Sequence, residues 1–177
     1  MIELLTAHTA ELEHAVLTEA RELLIGVFEG DMTVGDWEHA LGGVHALLIE
    51  DGVLIGHASV VQRRMLHGDR ALRAGYVEGV GVRADRRGRG HGGALMDAVE
   101  RVVRGAYEVG VLGSSDEAVP FYRRRGWQPW RGPLCAITPG GLRPTPDEEG
   151  AVFVLPGSAP LDLDGRLACD WRDGDVW

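Results

Sequence analysis

Residues 76–93 read Tyr-Val-Glu-Gly-Val-Gly-Val-Arg-Ala-Asp-Arg-Arg-Gly-Arg-Gly-His-Gly-Gly, and this stretch decides the fold. Tyr76 to Val82 is strand-like. An arginine- and glycine-rich loop follows, and then an amphipathic helix, Ala94 to Val103. Strand, glycine loop and helix start make an anion cradle. Glycines let the backbone turn sharply and leave no side chain between the N–H groups and a phosphate. The helix N-terminus adds N–H donors and a partial positive charge. Arg86, Arg87 and Arg89 add full charges. The chemistry is that of a pyrophosphate site.

Upstream, Thr9 is expected to cap a first helix. Leu12, Ala15, Val16, Ala20, Leu23, Leu24 and Val27 recur near helical spacing, and Gly30 ends it. Thr33 caps a short second helix, Val34 to Leu41, with Trp37 facing inward and Gly42-Gly43 as the stop. Val44 to Glu50 and Val53 to Gln62 flank Asp51-Gly52, a hairpin turn signal. A second turn at His67 to Arg70 returns the chain through Ala71 to Val82, giving a three-strand antiparallel meander that ends at the loop.

Downstream, Glu108 to Leu112 reads as a short buried strand and residues 116–125 as a helix carrying Tyr122. Trp127 to Thr138 is a strand broken at Pro129 and Pro133. Pro139 to Gly150 is a turn-rich loop, Ala151 to Leu155 a strand, 156–165 a second loop, and Leu167 to Trp171 a final strand. No repeat or internal linker interrupts the chain. The expected fold is α/β, one domain over 1–177, with a mixed, mostly antiparallel sheet flanked by helices.

Composition excludes several classes. With 45% hydrophobic and 25% charged residues, the chain is ordinary for a soluble globular protein. No apolar run approaches the roughly 20 residues of a membrane span, so no membrane partner is expected. Glu3 interrupts the N-terminus, no signal peptide is expected, and the expected location is the cytoplasm. Cys135 and Cys169 lack metal-ligand spacing and are expected as buried thiols. His39 and His45 are not a metal pair, so no metal site is expected. Net charge is −9, although residues 83–104 hold six arginines against three acids. That balance disfavours nucleic acid and suits a cationic ligand drawn to an acidic cleft.

Two glycine patterns fit the loop. Gly88-Arg89-Gly90-His91-Gly92-Gly93 satisfies G-x-G-x-x-G. A dinucleotide site, however, places that motif on the first strand of a βαβ unit, with an acid closing the next strand about 20 residues on. Here Glu108 starts a strand instead of ending one. A P-loop is excluded because the chain contains no lysine. The second pattern is Arg-x-x-Gly-x-Gly, on Arg87, Gly90 and Gly92. It resembles the acetyl-coenzyme A loop of GCN5-related N-acetyltransferases. Ala118-Val119-Pro120-Phe121-Tyr122-Arg123-Arg124-Arg125-Gly126-Trp127 resembles that family's tyrosine helix, in the right order and at the right distance.

Acetyl transfer to an amine needs a neutral nucleophile, a stabilised oxyanion and a proton donor for the thiolate. Glu78 lies mid-strand between Val77 and Val80, and a carboxylate there points to a general base, acting directly or through water. The competing reading is a solvent-facing glutamate. Gly79 and Gly81 signal a strand splay or bulge. The resemblance implies that acetyl-CoA is held by Val80, Gly81 and Val82 and by Arg87, Gly88, Arg89, Gly90, His91, Gly92 and Gly93. It makes the Val80 and Val82 N–H groups the partners of the acetyl carbonyl and pantetheine. It gives Tyr122 the role of proton donor to sulfur, where the competing reading is a core aromatic. Attack is direct, in a ternary complex, so neither cysteine is needed.

Further segments narrow the resemblance to aminoglycoside 2′-N-acetyltransferases. They are Gly30-Asp31, Asp36 to His39, Gly75 to Val80, Arg125 to Trp127, Thr145 to Asp147, Val152 to Pro156, Cys169 to Arg172 and Gly174-Asp175-Val176-Trp177. Aminoglycosides are polycations, which several carboxylates can match. The implied substrate-binding residues are Asp31, Asp36, Glu78, Gly79, Gly113, Asp147, Glu148 and Trp177, the last through its ring and its carboxylate. The family commonly has Ser where this chain has Gly113, and Glu148 replaces an Asp. The resemblance also implies antibiotic resistance and a homodimer. The competing functions are acetylation of another cationic amine, a polyamine or a protein N-terminus, and a non-catalytic aminoglycoside- or nucleotide-binding module. For Trp177 the competing reading is a frayed end.

Overall fold

A computed structural model describes residues 1–177. In chain order the elements are β1 (Ile2–His8), α1 (His14–Val27), α2 (Val34–His39), β2 (Val44–Glu50), β3 (Val53–His67), β4 (Arg70–Val82), α3 (His91–Ala106), β5 (Val109–Gly113), α4 (Val119–Arg124), β6 (Gln128–Pro129), β7 (Leu134–Thr138), β8 (Gly141–Pro144), β9 (Val152–Pro156) and β10 (Leu167–Asp170). The chain divides into two units, Met1–Val61 with Val77–Val102, and Gln62–Tyr76 with Val103–Trp177. Strands β3 and β4 contribute to both.

The first unit opens differently from the sequence expectation. Ile2–His8 is a strand, paired antiparallel with β2 from Ile2↔Glu50 to His8↔Val44. Its side chains are mostly exposed, so it lacks the one-sided apolar alternation that marks a half-buried strand. Thr9 caps no α-helix. It begins a 3₁₀ turn capped by His8, and α1 starts at His14 behind Glu13, without a side-chain cap. The second helix starts at Val34 as read and ends at His39, two residues short of the expected Leu41. Thr33 accepts from the Asp36 N–H while Asp36 Oδ2 takes the Thr33 N–H at 2.7 Å, a reciprocal cap. Trp37 is buried with Ala20, Leu24, Ala40, Leu47 and Leu54. Burying a leucine as fully as Leu24 stabilises the fold by about 1.5–3 kcal/mol. The Asp51-Gly52 turn joins β2 to β3, with both residues at positive φ (50° and 81°), as a two-residue hairpin of this hand requires.

In the second unit the strand order is β6-β9-β5-β4-β3-β10-β7-β8. After α3, β5 returns parallel to β4, with Tyr76 opposite Val111. Strand β9 pairs antiparallel with β5, and β10 runs antiparallel to β3 but parallel to β7. This is the mixed, mostly antiparallel arrangement expected. The strand read across 127–138 is two strands with different partners, β6 on β9 and β7 on β10, because prolines 129 and 133 interrupt the ladder. Part of the expected loop after Pro139 folds back as β8 against β7. Tyr76, Leu112, Trp127 and Phe153 are fully buried here.

Candidate active site

In the first unit, the end of β4 carries the irregularity expected at its glycines. Gly79 has φ +56°, a conformation L side chains rarely adopt, and a Cβ there would meet Leu24 Cδ1 at 2.9 Å. Gly81 has an ordinary φ and serves packing, since its Cβ would lie 2.9 Å from Leu24 Cδ2 and 3.1 Å from Val27. The Gly79 carbonyl accepts from His57 Nδ1 at 2.7 Å, and the Glu78 carbonyl accepts from Ser59 Oγ at 3.3 Å. Glu78 itself is half-buried.

Beyond β4, a 3₁₀ turn at Ala84–Arg86 leads into the glycine loop. Gly88 and Gly90 have φ +74° and +84°, and no protein atom lies within 4 Å of where a Cβ would stand at either. Their bare backbone faces open space, which suits a bulky anion. The helix starts at His91, three residues before the Ala94 of the sequence reading, and Ala94 N–H donates to Gly90 O at 3.1 Å. The N–H groups of His91, Gly92 and Gly93 therefore precede the first internal helix bond, and remain for an external acceptor. These residues fit a pyrophosphate.

The arginines divide. Arg89 is exposed on the loop. Arg87 folds back onto the Val82 carbonyl (3.2 Å) and the Val27 carbonyl (3.4 Å). Arg86 is engaged elsewhere, with Glu50 at 2.6 Å and Asp85 at 2.8 Å, and so departs from the sequence reading as a phosphate-facing charge. Its pKa is raised by those acids. A groove of about 400 Å³ lies beside the loop, lined by Glu22, Leu23, Gly26 and Val27 of α1 and by Arg83, Ala84 and Asp85. The helical spacing of Leu23 and Val27 predicts core for that α1 face. The available signal was Gly26, a glycine inside a helix where alanine is about 1 kcal/mol better.

Of the expected substrate acids in this unit, Asp31 is exposed, and Asp36 is half-buried with one oxygen committed to the α2 cap.

In the second unit, Tyr122 sits on α4 and is 7% exposed. Its ring packs edge-on against Phe121 and Trp127, at centroid distances of 5.2 and 6.2 Å. Gly113 ends β5. A Cβ there would lie 3.7 Å from the Tyr76 hydroxyl and 3.9 Å from the Trp177 main chain, ordinary contact distances.

Residues 172–177 are not frayed. Trp177 is 5% exposed, and its indole Nε1 donates to Thr145 Oγ1 at 2.8 Å. Arg63 Nη1 and Cys169 Sγ both donate to the Val176 carbonyl, at 2.7 and 3.3 Å. Arg172 holds the Asp175 carbonyl at 2.7 Å and Trp177 O at 3.3 Å. Cys169 stays a thiol, its pKa pushed up to about 11 mainly by burial. Asp147 and Glu148 lie on a 3₁₀ turn behind Thr145. Glu148 has a raised pKa, caused first by burial and then by Asp175 and Asp147. Asp175 thus joins this acidic group. Sequence reading quoted its motif but did not assign it.

The strand end with left-handed Gly79, the bare-backbone loop and the helix start define a coenzyme A-dependent acyl-transfer fold, and comparison with known proteins agrees. Residues 9–130 match the acetyltransferase (GNAT) domain, and the chain belongs to that family. It is 52% identical over 174 residues to an aminoglycoside 2′-N-acetyltransferase of Mycolicibacterium fortuitum, covering 96% of this chain and 89% of the relative. A GNAT family acetyltransferase from Brucella melitensis, solved with acetyl-CoA, superposes with a TM-score of 0.63 at 18% identity, over 94% of this chain and 95% of that one. Escherichia coli ElaA gives a TM-score of 0.62 at 20% identity, over 87% and 99%. The protein is an acetyltransferase, and acetyl-CoA is its acetyl donor.

Proposed function

We propose that this enzyme acetylates the 2′-amino group of aminoglycosides and so confers resistance to them, with residues 1–177 working as a single domain. The observation that carries the reading is the 52% identity, over nearly the whole chain, to a relative bearing that activity in its name. The acidic group of Asp147, Glu148 and Asp175 beside an anchored Trp177 supports a polycationic substrate.

Acetyl-CoA supplies an activated thioester when bound. In this reading the backbone from Arg87 to Gly93, with the side chains of Arg87 and Arg89, takes up its pyrophosphate. Val80 N–H holds the acetyl carbonyl and Val82 N–H the pantetheine, and Gly81 keeps that strand close to α1. Glu78 removes the proton of the attacking amine, directly or through a water. Tyr122 gives its proton to the departing sulfur. Asp31, Asp36, Glu78, Asp147, Glu148 and Trp177 bind the aminoglycoside, with the backbones of Gly79 and Gly113. The protein acts in the cytoplasm as a homodimer, which light scattering tests.

The test is release of free thiol from acetyl-CoA with aminoglycosides, polyamines and peptide N-termini as acceptors. This reading predicts the highest kcat/KM for aminoglycosides. A preference for either other amine class selects the alternative acetyltransferase, and no release with any acceptor selects a binding module.

A further inference from the structure

A directional chain of hydrogen bonds runs through the first unit and ends on the backbone beside Glu78. Gly42 N–H donates to Thr9 Oγ1 at 2.9 Å. Thr9 Oγ1 lies 2.8 Å from His45 Nε2, and His45 Nδ1 lies 2.9 Å from His57 Nε2. His57 Nδ1 lies 2.7 Å from the Gly79 carbonyl oxygen. Both imidazoles are fully buried.

The last acceptor fixes where every proton sits. A carbonyl oxygen only accepts, so His57 Nδ1 carries the hydrogen. Both rings are neutral, because burial pushes His57 down to about 3 and His45 to about 4. His57 Nε2 is therefore bare and must accept from His45 Nδ1. His45 Nε2 is then bare in turn and accepts from the Thr9 hydroxyl, whose single hydrogen takes this 2.8 Å partner over the Gly43 carbonyl at 3.3 Å and whose lone pair takes the Gly42 N–H. One proton order satisfies the whole chain.

That order has a consequence for the strand. The Gly79 carbonyl and the Val80 N–H belong to one peptide unit. No peptide here is cis, and in a trans peptide the C=O and N–H point in opposite directions. Holding Gly79 O against His57 thus aims Val80 N–H the other way. The preceding peptide is held similarly, by Ser59 Oγ on the Glu78 carbonyl. Between the two lies Gly79 at φ +56°, a residue free to adopt other conformations once its partner is lost.

We propose that His57, backed by His45 and Thr9, is a positioning residue that locks the Gly79–Val80 peptide and keeps the Val80 N–H aimed for acetyl transfer; this rests on the role given to Val80 above. The chain ends on a carbonyl, which has no proton to pass on, so it orients the backbone and does not shuttle protons. Its tautomers are part of the device. If His57 carried its hydrogen on Nε2, the bare Nδ1 would face the carbonyl lone pairs and repel them.

The experiment combines imidazole ¹⁵N NMR of the intact protein with variant kinetics. In the wild type, His57 and His45 are expected to show a protonated Nδ1 and a pyridine-type Nε2. His57→Leu removes the donor, and kcat is expected to fall by up to about 10²-fold, the lower range for loss of one oxyanion donor, with the KM for acetyl-CoA unchanged. His57→Asn, whose amide nitrogen stands near the Nδ1 position, is expected to recover much of that loss. His45→Phe leaves His57 in place but frees its tautomer, so both kcat and the His57 ¹⁵N signature are expected to change. A folded His57→Leu enzyme with wild-type kcat overturns the proposal. So does a wild-type His57 protonated on Nε2, a readout that holds even if the leucine variant does not fold. An inactive wild type refutes the function proposed above, while the NMR still decides the lock.

Discussion

Arg63 Nη1 donates to the Val176 carbonyl at 2.7 Å, so a buried guanidinium on β3 fixes the segment that carries Trp177. The same group holds Asp170 through Nε at 2.7 Å and lies 4.8 Å from the Tyr76 ring centroid. The segment is therefore built into the second unit and held from several sides.

This anchoring makes Trp177 a test of substrate recognition. Trp177→Ala removes the ring and its bond to Thr145. Arg63→Met loosens the segment from the strand side. Both are expected to raise the aminoglycoside KM while acetyl-CoA affinity, measured by calorimetry, stays constant. Arg63→Met is also expected to lower stability by about 1.5–3 kcal/mol, the range for a lost hydrogen bond to a charged group, because Asp170 is 40% exposed and is not left buried without a partner. Unchanged aminoglycoside kinetics in both variants would remove the segment from recognition.

Gly90 combines φ +84° with open space beyond its Cα. Gly90→Ala is expected to cost about 1–2 kcal/mol of stability from the left-handed backbone alone. Gly90→Asp adds a negative charge where phosphate is expected, and should weaken acetyl-CoA binding far more than the alanine does. Equal calorimetric affinities for the aspartate variant and the wild type contradict the cradle.

Glu78→Gln is expected to slow acetylation at neutral pH by about 10²–10⁴-fold if Glu78 is the sole base, and to alter the pH–rate profile. An unchanged profile reduces Glu78 to substrate binding. Tyr122→Phe keeps the buried ring and its edge-on contacts, and is expected to reduce turnover with little change in either KM. Full turnover leaves Tyr122 as packing alone.

The paired histidines set a pH limit on stability. Their folded values of about 4 and 3 lie below the ordinary 6.5. Between those values the unfolded chain binds protons that the folded chain refuses. Stability is thus fully present above pH 6.5 and lost as pH falls, by about 1.4 kcal/mol per pH unit for each ring. The loss continues to about pH 4 for His45 and pH 3 for His57. Urea denaturation between pH 7 and 5, above most carboxylate titration, measures it. A flat profile over that range contradicts the buried neutral pair.

Local sequence signals found the parts governed by local physics. The Thr33–Asp36 cap, the Asp51-Gly52 turn, the glycine loop and the Gly79 irregularity each follow from a few adjacent residues. Strand β1 escaped because its only support is long-range pairing with β2, and its exposed side chains carry no one-sided pattern. Thr9 has the composition of a helix cap, but its hydroxyl is used by Gly42 and His45, partners over 30 residues away. The same distance in sequence hid the His45–His57–Gly79 chain. Arg86 illustrates the limit for charges: nothing in the loop's sequence foretells Glu50 as its partner. The relation of Asp175 to Glu148 is not legible in the sequence, because it exists only once residues 172–177 are anchored.

Acetyl transfer to a 2′-amine is tested by pairing two aminoglycosides that differ only at that position, one with an amino group and one with a hydroxyl. Thiol release from acetyl-CoA gives the rate, and NMR of the product gives the position. Rapid release is expected with the 2′-amino compound, with a single acetyl group on the 2′ nitrogen and little release with its 2′-hydroxyl counterpart. Equal rates for the two, or acetylation at another amine, would contradict it.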